Sequence, residues 1–464
     1  MSDAAEICVV GAGPAGCALA ARLARLGHDV AIVEQQRFPR PHIGESLSPA
    51  AWPVLDALGV GERVRAAGFV ATATARVRWR DDRAQLAEVS GGLTVDRGAF
   101  DAILLEHARA CGARVLAPAR ACRPARDGDS WTLECGDGAL RARFLADASG
   151  RRRMLGGPSP PTGPRTLALH AEWRGGDRWR DEQTRIEALA QGWLWGAQLP
   201  DGALRAIAFV DPGTLRAAGG DSTRLYHRLL ASSRLFANLR PSGWTAACVR
   251  ACDATTYAAG APIDACSVRV GEAAFAIDPL SSSGVQTAIQ TGLAAASAVH
   301  CILTRAAGRQ AAIAYYRAHL DHAVERHAAT AAGLYAEHRP SADAPFWRAR
   351  SAAAAPSPGW PAVTTAINEL LRARVGLPAE AALRDTPCLV GDVIELRRAL
   401  THPALDRPVA FLGGEELAPL LDELPAVASL SDAIDRWDRV LPAGRANAIA
   451  VWLHARGLLV AQPR

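Results

Sequence analysis

The stretch from Ile7 to Glu34 constrains the fold more than any other part of the chain. It contains a four-residue apolar run, three glycines at G-x-G-x-x-G spacing, a helical segment and a second apolar run. Gly11 permits a tight turn, Gly13 lets a pyrophosphate approach the backbone, and Gly16 lets the helix pack closely on the strand. The helix N-terminus offers free N–H groups to the phosphates. Because these features follow in order within about 30 residues, we predict a βαβ unit that binds a dinucleotide.

Glu34 closes this unit directly after the second predicted strand, Val30–Val33. Its carboxylate can accept hydrogen bonds from both hydroxyls of a ribose, and it would repel a 2′-phosphate. Pro14 and Ala15 stand between the second and third glycines and complete the predicted phosphate-binding turn. The alternative is an ordinary βαβ unit that has a glycine-rich turn and binds no dinucleotide.

Length and composition limit the number of domains and the class of protein. With 464 residues, of which 49% are apolar, the chain is long enough for two or three domains with a large core. It has no charge-free apolar run of about 18 residues, so we predict no membrane-spanning helix. Ten cysteines are scattered singly, which favours reduced thiols over a disulfide framework. Because the first predicted strand begins at Ile7, we expect no signal peptide and a cytoplasmic location.

The charged residues indicate neither nucleic-acid binding nor a metal site. The net charge is +5, and all 52 basic residues are arginine because the sequence contains no lysine. No long basic run is interleaved with aromatic residues, so nucleic acid is not an expected partner. His319, His322 and His327 lie on a predicted helix, but their spacing leaves at most one pair on a common face. We therefore predict no metal.

A loop with two prolines follows the βαβ unit and has the sequence RPHIGESL over Arg40–Leu47. Arg40 can pair with a phosphate, and the backbone of Gly44–Ser46 can approach a ring system closely. Together with G-A-G-P-A-G and Glu34, this loop resembles the FAD-dependent monooxygenases, in particular their flavin-dependent halogenase and geranylgeranyl-reductase-like branches. The resemblance implies a Rossmann-like FAD-binding domain of the para-hydroxybenzoate-hydroxylase type. It also implies that Glu34 binds the adenosine ribose and that Ser46 belongs to the cofactor site.

Three later segments resemble further motifs of this superfamily. Val95–Asp101 resembles V-x-R-x-x-F-D, whose arginine lies near the FAD pyrophosphate, and this implies such a role for Arg97. Phe144–Gly150 resembles a strand followed by D-A-D-G, with serine in place of the second acid. Val268–Gly292 resembles the G-D-A-A block, whose acid hydrogen-bonds the ribityl chain; the acid here is Glu272.

Within that last block, Asp278–Val285 is similar to the D-P-L-x-S-S-G sequence of the halogenase branch. The resemblance implies that this segment lies against the isoalloxazine and that the following helix N-terminus faces the polar edge of the flavin. A helix N-terminus favours the negative charge of reduced flavin. The implied cofactor-binding residues are Asp278, Pro279, Ser283, Gly284 and Val285.

The residues from 163 to 259 have strand-like alternation and a cluster of tryptophans, Trp173, Trp179, Trp193 and Trp195. We predict that they form an antiparallel-sheet substrate domain over the flavin. Gly192–Trp195, followed by Leu199–Pro200, resembles the W-x-W-x-I-P signature of the halogenase branch, with the proline two residues further along. In that branch the signature forms a wall near the active-site tunnel. The alternative is a packed aromatic pair beside a sheet.

The predicted fold class is therefore α/β, with a split FAD-binding domain around the substrate domain. Residues 1–162, which include inserted strands, form its first part, and residues 260–350 form its second part with helices. Residues 351–380 are predicted as a linker because they begin with a Pro/Ala/Ser-rich stretch.

Residues 381–464 are predicted as a mainly helical, winged-helix-like domain, with helices over 413–421, 430–437 and 444–457. In outline this pattern resembles recognition modules that bind leader peptides. The resemblance implies that the domain docks a polypeptide substrate. The alternative is a helical cap on the core.

The resemblance also bears on the reaction. Halogenases of this superfamily use a lysine, and the equivalent position aligns best with Thr72; the chain has no lysine anywhere. The glutamate of tryptophan halogenases is replaced by Ser281 and Ser282. We therefore expect no halogenation by that mechanism and favour hydroxylation of an electron-rich aromatic ring through a flavin C4a-hydroperoxide, with O2 as co-substrate. Hydride reduction of an alkene and an oxidase reaction are the alternatives.

The halogenase-like body, the missing lysine and the C-terminal domain together resemble the flavoprotein monooxygenases that mature tryptophylquinone cofactors, as for quinohemoprotein amine dehydrogenase. Their substrate is a Trp side chain of a partner polypeptide. A small-molecule aromatic hydroxylase of secondary metabolism and a flavin-binding assembly protein are the alternatives.

The sequence contains no second strong G-x-G-x-x-G unit, so we expect that NAD(P)H binds transiently or that a reductase supplies reduced flavin. Position relative to the motifs suggests four candidate catalytic residues, Thr72, His170, Trp195 and Ser283.

Overall fold

A computed structural model describes residues 3–136, 138–176, 184–239, 242–352 and 366–462. The chain forms two compact units, the first from residues 1–304 and 316–354 and the second from residues 305–315 and 355–464. Most of the Pro/Ala/Ser-rich stretch of the predicted linker lies outside the described residues, and so does Trp179.

The helices and strands follow in three groups along the chain. The first group is β1 (Asp3–Val10), α1 (Pro14–Arg25), β2 (Val30–Val33), β3 (Ser46–Leu47), α2 (Trp52–Leu58), α3 (Gly61–Ala66), β4 (Val70–Arg78), β5 (Gln85–Thr94), α4 (Arg97–Ala110), β6 (Arg114–Leu116), β7 (Ala121–Asp127), β8 (Ser130–Cys135) and β9 (Gly138–Asp147). The second group is β10 (Leu167–Arg174), β11 (Thr184–Leu189), β12 (Gly192–Gln198), β13 (Leu204–Val210), α5 (Pro212–Ala217), α6 (Ser222–Ser232), β14 (Thr245–Ala246), β15 (Arg250–Asp253), β16 (Tyr257–Ala258), β17 (Ser267–Arg269), β18 (Phe275–Ala276) and α7 (Gly284–Thr304). The third group is α8 (Arg309–Ala336), α9 (Pro345–Ser351), α10 (Ile367–Leu370), β19 (Val375–Gly376), β20 (Ala382–Val390), β21 (Val393–Thr401), β22 (Phe411–Leu412), β23 (Glu415–Glu416), α11 (Leu417–Asp422), α12 (Leu430–Trp437), α13 (Arg445–His454) and β24 (Val460–Ala461).

The first sheet of the larger unit has the strand order β6-β2-β1-β9-β8-β7. Strands β6, β2, β1 and β9 run parallel, and β17 adds in parallel to the second half of β9. The central strands are buried, which explains their continuous apolar runs. In a parallel sheet the carboxyl ends of the strands meet at one edge, where ligands bind. The loops after β1, β2, β9 and β17 therefore converge on one place.

The second sheet has the order β14-β10-β13-β12-β11-β4-β5-β3 and is antiparallel except where β11 pairs with β4. One face packs against α6 through a cluster that includes Trp173, Tyr226 and Leu229. The opposite face carries Trp193, Trp195 and other apolar side chains. The tryptophans that the sequence suggests as one cluster are thus divided between two faces of the sheet. Side chains alternate along a strand, and the position of Trp173 in β10 directs it to the face that packs against α6.

Helix α1 packs closely on the loop after β1 and on α7, and each of these contacts depends on a glycine. A Cβ atom on Gly16 would lie 2.1 Å from the carbonyl oxygen of Gly11, and one on Gly292 would lie 2.4 Å from that of Ala15. Helix α7 is also long and apolar enough to cross a membrane, but 67% of its most apolar window is buried within the protein. Its apolar surface is therefore used in packing the core of this unit.

The smaller unit has its own core, built from α11, α12, α13 and the base of the β20–β21 hairpin. Trp437 and Ile449 are fully buried in it, and the Ser429 side chain accepts a hydrogen bond from Asp432 N at 3.1 Å, which caps α12. The three predicted helices are present, with α12 at the predicted bounds. The hairpin, whose strands span 382–390 and 393–401, was not predicted.

Two helical glycines allow a matched test of the packing between α1 and α7. We expect Gly292→Ala to lower the free energy of unfolding by about 1–3 kcal/mol, because the new methyl group would meet backbone atoms of α1. Gly333→Ala is the control: Gly333 lies in α8, and its added Cβ would have no neighbour within 4 Å. It should stabilise the protein by about 0.5–1 kcal/mol. Urea unfolding checks both values, and equal effects would contradict the packing argument.

Candidate active site

A cavity of about 620 Å³ lies in the larger unit, where the loops at the carboxyl edge of the parallel sheet meet the apolar face of the second sheet. Its wall is chemically divided. One part consists of glycine-rich backbone and charged side chains, and the other consists of aromatic and aliphatic side chains. A long ligand with a polar end and a ring would match this division.

Close backbone approach builds the polar end. Gly11 has φ +105°, and a Cβ there would lie 2.4 Å from the carbonyl oxygen of Ala148, in the loop after β9. Gly271, with φ +57°, comes so close to α1 that an added Cβ would lie 2.8 Å from the Ala15 Cβ. Gly13 and Pro14 line the cavity at the start of α1. The result is a cradle without side chains at a helix N-terminus, which suits a phosphate.

Glu34 lies at this end and is 6% exposed. Its carboxylate accepts hydrogen bonds from Ala12 N and Gln36 N, both at 2.9 Å. These bonds fix its orientation and leave further acceptor positions facing the cavity. This geometry is compatible with a ribose at the position that the sequence suggests.

Two arginines beside the glycine loop share one buried carboxylate, Asp101. Arg97 donates to both Asp101 oxygens, at 3.0 and 3.1 Å, and Arg40 Nη2 lies 3.4 Å from Oδ2. Arg97 Nη1 also donates to the carbonyl oxygens of Ile43 and Gly44, at 2.8 and 3.3 Å. Asp101 is fully buried, while both arginines line the cavity. Two guanidinium groups with one carboxylate leave a positive charge that suits a pyrophosphate.

The loop that contains Glu45 joins the polar and apolar ends. Glu45 is 2% exposed and accepts from Gly44 N at 2.9 Å and from Arg205 Nε at 3.0 Å. The next residue, Ser46, begins β3, which pairs with β5 and lies on the cavity wall. The loop is therefore tied to the second sheet by a buried ion pair.

The segment from Glu272 to Val285 closes the other side. Glu272 is half exposed and pairs with Arg151 at 3.0 Å. Asp278 accepts from Leu280 N at 2.9 Å, and the Tyr335 hydroxyl lies 3.1 Å from each of its oxygens. Burial raises the pKa of Asp278 above its ordinary value. Burial and the Asp278 carboxylate raise the pKa of Tyr335 as well, so the tyrosine keeps its proton and donates it.

The apolar end is formed by one face of β10, β12 and β13. Trp193 stacks on Phe209 with ring centroids 4.0 Å apart, and its Nε1 donates to the Tyr335 hydroxyl at 3.2 Å. Trp195 and its cross-strand partner Ile207 extend the same wall. Such a wall can bind an aromatic ring and exclude water from it.

The structure brings most of the predicted cofactor residues to this cavity. Gly11, Gly13, Pro14, Ala15, Glu34, Arg40, Ser46, Arg97, Glu272, Pro279, Gly284 and Val285 line it. Gly16, Asp278 and Ser283 do not: Gly16 packs against the Gly11 carbonyl, and Asp278 bonds to Tyr335. In the part of the chain that the structure describes, no group of three His, Cys, Asp or Glu residues could hold a metal.

Comparison with known proteins agrees with this geometry. A family model described as an FAD binding domain matches residues 4–155. The flavin-dependent halogenase armH4 of Armillaria mellea is 30% identical over 372 residues, which cover 68% of this chain and 70% of that protein. The chain belongs to the FAD-dependent monooxygenase and halogenase-like superfamily. It is an FAD-dependent oxidoreductase, and the fold class predicted from the sequence is confirmed.

Other relatives of this flavoprotein differ in their reactions. The tryptophan 2-halogenase of Chondromyces crocatus is 29% identical over 68% of this chain, and the match spans 65% of that protein, just under two thirds. The solved structure of the peptidyl tryptophan dihydroxylase QhpG, described as essential for tryptophylquinone cofactor biogenesis, has 27% identity and a TM-score of 0.77. It covers 98% of this chain and 99% of its own. The flavin-dependent halogenase CmlS has 22% identity and a TM-score of 0.77, over 99% and 96% of the two chains, and shows a shared fold.

Of the four candidate catalytic residues of this flavoprotein, only Trp195 lines the cavity. Thr72 is buried on β4, with its Oγ1 3.2 Å from Thr94 Oγ1, and the Ser283 hydroxyl donates to the Ser281 carbonyl at 2.9 Å. His170 lies on the cavity face of β10, beside Ile207. Burial and nearby arginines lower its pKa to about 4, and its Nδ1 has no hydrogen-bond partner among the described residues. His170 is therefore a neutral ring at the cavity margin at pH 7.

Sequence reasoning missed Asp101, Tyr335 and Phe209. Asp101 ends the V-x-R-x-x-F-D pattern, so that motif could have suggested it. Tyr335 and Phe209 carry no local signal, because each reaches the site through contacts distant in the sequence, with Asp278 and Trp193.

Asp101→Asn tests whether the shared carboxylate holds the two arginines toward the cofactor phosphates. Removing its charge leaves two buried guanidinium groups without a counter-charge, and this should cost the apoprotein about 3–5 kcal/mol of unfolding free energy. Saturating FAD should reduce the loss, because a bound pyrophosphate supplies negative charge. Urea unfolding with and without FAD measures the difference. Asp56→Asn, in an exposed pair with Arg65, is the control, and equal losses with and without FAD would contradict the assignment.

Tyr335→Phe tests the link between the aromatic wall and the segment around Asp278. The lost hydroxyl leaves Trp193 Nε1 without its partner, so the free energy of unfolding should fall by about 1–3 kcal/mol. The visible spectrum of bound FAD should also shift, because the Asp278 segment loses an anchor. Tyr226→Phe is the matched control: Tyr226 accepts from Trp173 Nε1 at 2.9 Å on the opposite face of the sheet. A spectral shift in the control, or none in Tyr335→Phe, would contradict the link.

Proposed function

We propose that this flavoprotein hydroxylates an electron-rich aromatic ring, and that the ring is the indole of a Trp side chain in a partner polypeptide. The observation that carries the proposal is the likeness to the peptidyl tryptophan dihydroxylase, at 27% identity over 98% of this chain. The tryptophan 2-halogenase also acts, by its name, on an indole. Both likenesses support a ring of this class.

The composition supports oxygen transfer over halogenation. The superfamily resemblance assigns the halogenating step to a lysine amine, and this chain contains no lysine. A guanidinium cannot replace that amine as a nucleophile, because arginine stays protonated in proteins. The likeness to halogenases therefore supports the fold and the FAD cofactor of this chain. It does not imply that this chain halogenates its substrate.

The geometry of the cavity is compatible with this reaction. Bound FAD supplies the redox chemistry, by which one atom of O2 is transferred to the ring. Residues of the glycine loop, with Glu34, Arg40 and Arg97, would hold its nucleotide half, and the segment from Pro279 to Val285 would lie along its ring. Trp193 and Phe209 would stack on the substrate, and the apolar wall would keep water away.

The proposed reaction needs a two-electron donor, for which we propose NAD(P)H. Ring hydroxylation with NAD(P)H as donor takes up O2 and one proton and yields the hydroxylated ring, water and NAD(P)+. Either NAD(P)H binds transiently or a separate reductase supplies reduced flavin, since the sequence has no second strong G-x-G-x-x-G unit.

The smaller unit is proposed to dock the polypeptide. Strand β20 pairs only with β21 among the described strands, whereas the other side of β21 is bridged to Val409 at Leu400, so the outer edge of β20 can receive an extended chain. Leu389 and Leu396 lie on one face of the hairpin, where their cross-strand partners are Ile394 and Pro387, and they are 40% and 59% exposed. Exposed apolar side chains beside an open strand edge are typical of a surface that binds a partner.

A small-molecule aromatic hydroxylase is the second candidate. The cavity of about 620 Å³ falls within the range of sites for small ligands. The two candidates differ in whether a free ring compound is turned over as well as a polypeptide.

Turnover on a Trp-containing polypeptide tests the proposed function. With FAD, a reductant and O2, we expect a mass gain of about 16 or 32 Da on a Trp residue, since each hydroxylation adds one oxygen atom. Peptide mass spectrometry measures it, with a Trp→Phe polypeptide as control. In a separate reaction without polypeptide, the enzyme incubated with bromide and an electron-rich arene should give no halogenated product. Hydroxylation of free aromatic compounds alone would favour the second candidate.

A pair of charged substitutions tests the docking surface. Leu389→Asp and Leu396→Asp together should raise KM for the polypeptide about tenfold, because they place charge on a surface that would be covered. FAD binding should be unchanged. Val440→Asp is the control, since Val440 is 73% exposed in the same unit and does not belong to the hairpin. An unchanged KM in the double variant would contradict docking through the hairpin.

A further inference from the structure

A histidine whose spacing along its helix argues against a metal site contacts the wall of the cavity. His327 Nε2 lies 3.1 Å from Oγ1 of Thr287, forty positions away in the sequence. Thr287 is 6% exposed, sits near the start of α7 and lines the cavity. His327 lies on α8 and is partly exposed to solvent, so the residue that contacts the cavity wall is also accessible from the surface.

The ring is placed to pass a proton rather than to hold a charge. Burial and the neighbouring Arg326 lower the pKa of His327 to about 4, so the imidazole is neutral at pH 7. A neutral imidazole has one N–H and one free nitrogen. The Thr287 bond is its one hydrogen bond among the described residues, which leaves Nδ1 for water. A threonine hydroxyl can accept one proton while it gives up another.

The chemistry of the flavoprotein requires that a proton be taken up. When O2 reoxidises the anionic, two-electron-reduced flavin without a ring substrate, the products are oxidised flavin and hydrogen peroxide, and one proton is taken up. Ring hydroxylation takes up a proton in the same way. Part of the cavity wall is apolar, and there a chain of polar side chains would supply the proton in place of water.

We infer that His327 and Thr287 form the route by which a solvent proton reaches the flavin cavity. Water delivers a proton to Nδ1, the Nε2 proton passes to Thr287 Oγ1, and the hydroxyl releases its own proton into the cavity. The ring ends as the neutral Nδ1–H tautomer, and it returns to the starting tautomer when water removes the Nδ1 proton and supplies one to Nε2. His327 acts through Thr287, and no bond to carbon forms or breaks.

The test uses the holoenzyme, reduced anaerobically and mixed with O2 in a stopped-flow instrument, with no aromatic substrate. His327→Leu should slow flavin reoxidation about tenfold or more, and exogenous imidazole should restore the rate. His327→Gln keeps a hydrogen-bonding group but cannot pass a proton, so it should be equally slow. Thr287→Val should be slow without rescue, whereas Thr287→Ser should match the wild type. His322→Leu, on the same helix, is the control.

Two further measurements separate a proton route from a structural role. The solvent isotope effect on reoxidation should rise in His327→Leu, because proton uptake becomes rate-limiting. The midpoint potential of the flavin and the FAD dissociation constant should stay unchanged, because a relay alters rates and not equilibria. Wild-type rates in His327→Leu and His327→Gln, equal slowing in His322→Leu, or a changed potential with the slow rate would overturn the inference.

Discussion

The site of this flavoprotein depends on backbone segments that approach one another more closely than any side chain would allow. A Cβ on Gly16 or Gly11 would meet a carbonyl oxygen at 2.1 or 2.4 Å, and one on Gly292 would meet the Ala15 carbonyl at 2.4 Å. These contacts place the N-terminus of α1 between the loop after β9 and the helix α7. Without them the helix could not present its free N–H groups at the cavity, and the charged residues around it would have no common target.

The cavity formed around these close backbone contacts is polar at one end and apolar at the other. At the glycine end, buried charge is only partly balanced within the protein, since Asp101 neutralises part of the charge of Arg97 and Arg40. At the sheet end the wall is aromatic, and its polar atoms are paired through Tyr335. A cofactor with a phosphate at one end and a ring at the other satisfies both parts. The ring end is then left as a dry surface on which a second aromatic group can stack.

The nucleotide half of the site could be predicted from the sequence because its signals are local. Glycine spacing, the acid after β2 and the arginine at the start of α4 each stand beside the element that positions them. The substrate half was harder, because strand register decides which face a side chain occupies. Trp173 and Trp193 look alike in the sequence, yet one packs under α6 and the other faces the cavity. The hairpin of the smaller unit was missed because its strands carry scattered charges, such as Arg397 and Arg398, instead of a clear alternation.

The arrangement of β9 has a consequence for the order of assembly during synthesis. Its first half pairs with β8, close in sequence, but its second half pairs with β17, and α1 packs against α7. A nascent chain that has left the ribosome only as far as Asp147 therefore has an incomplete sheet edge and an uncovered helix. The cradle becomes complete only after Gly292 emerges. Flavin capture is thus a late event in the folding of this chain, although its best-known motif is made first.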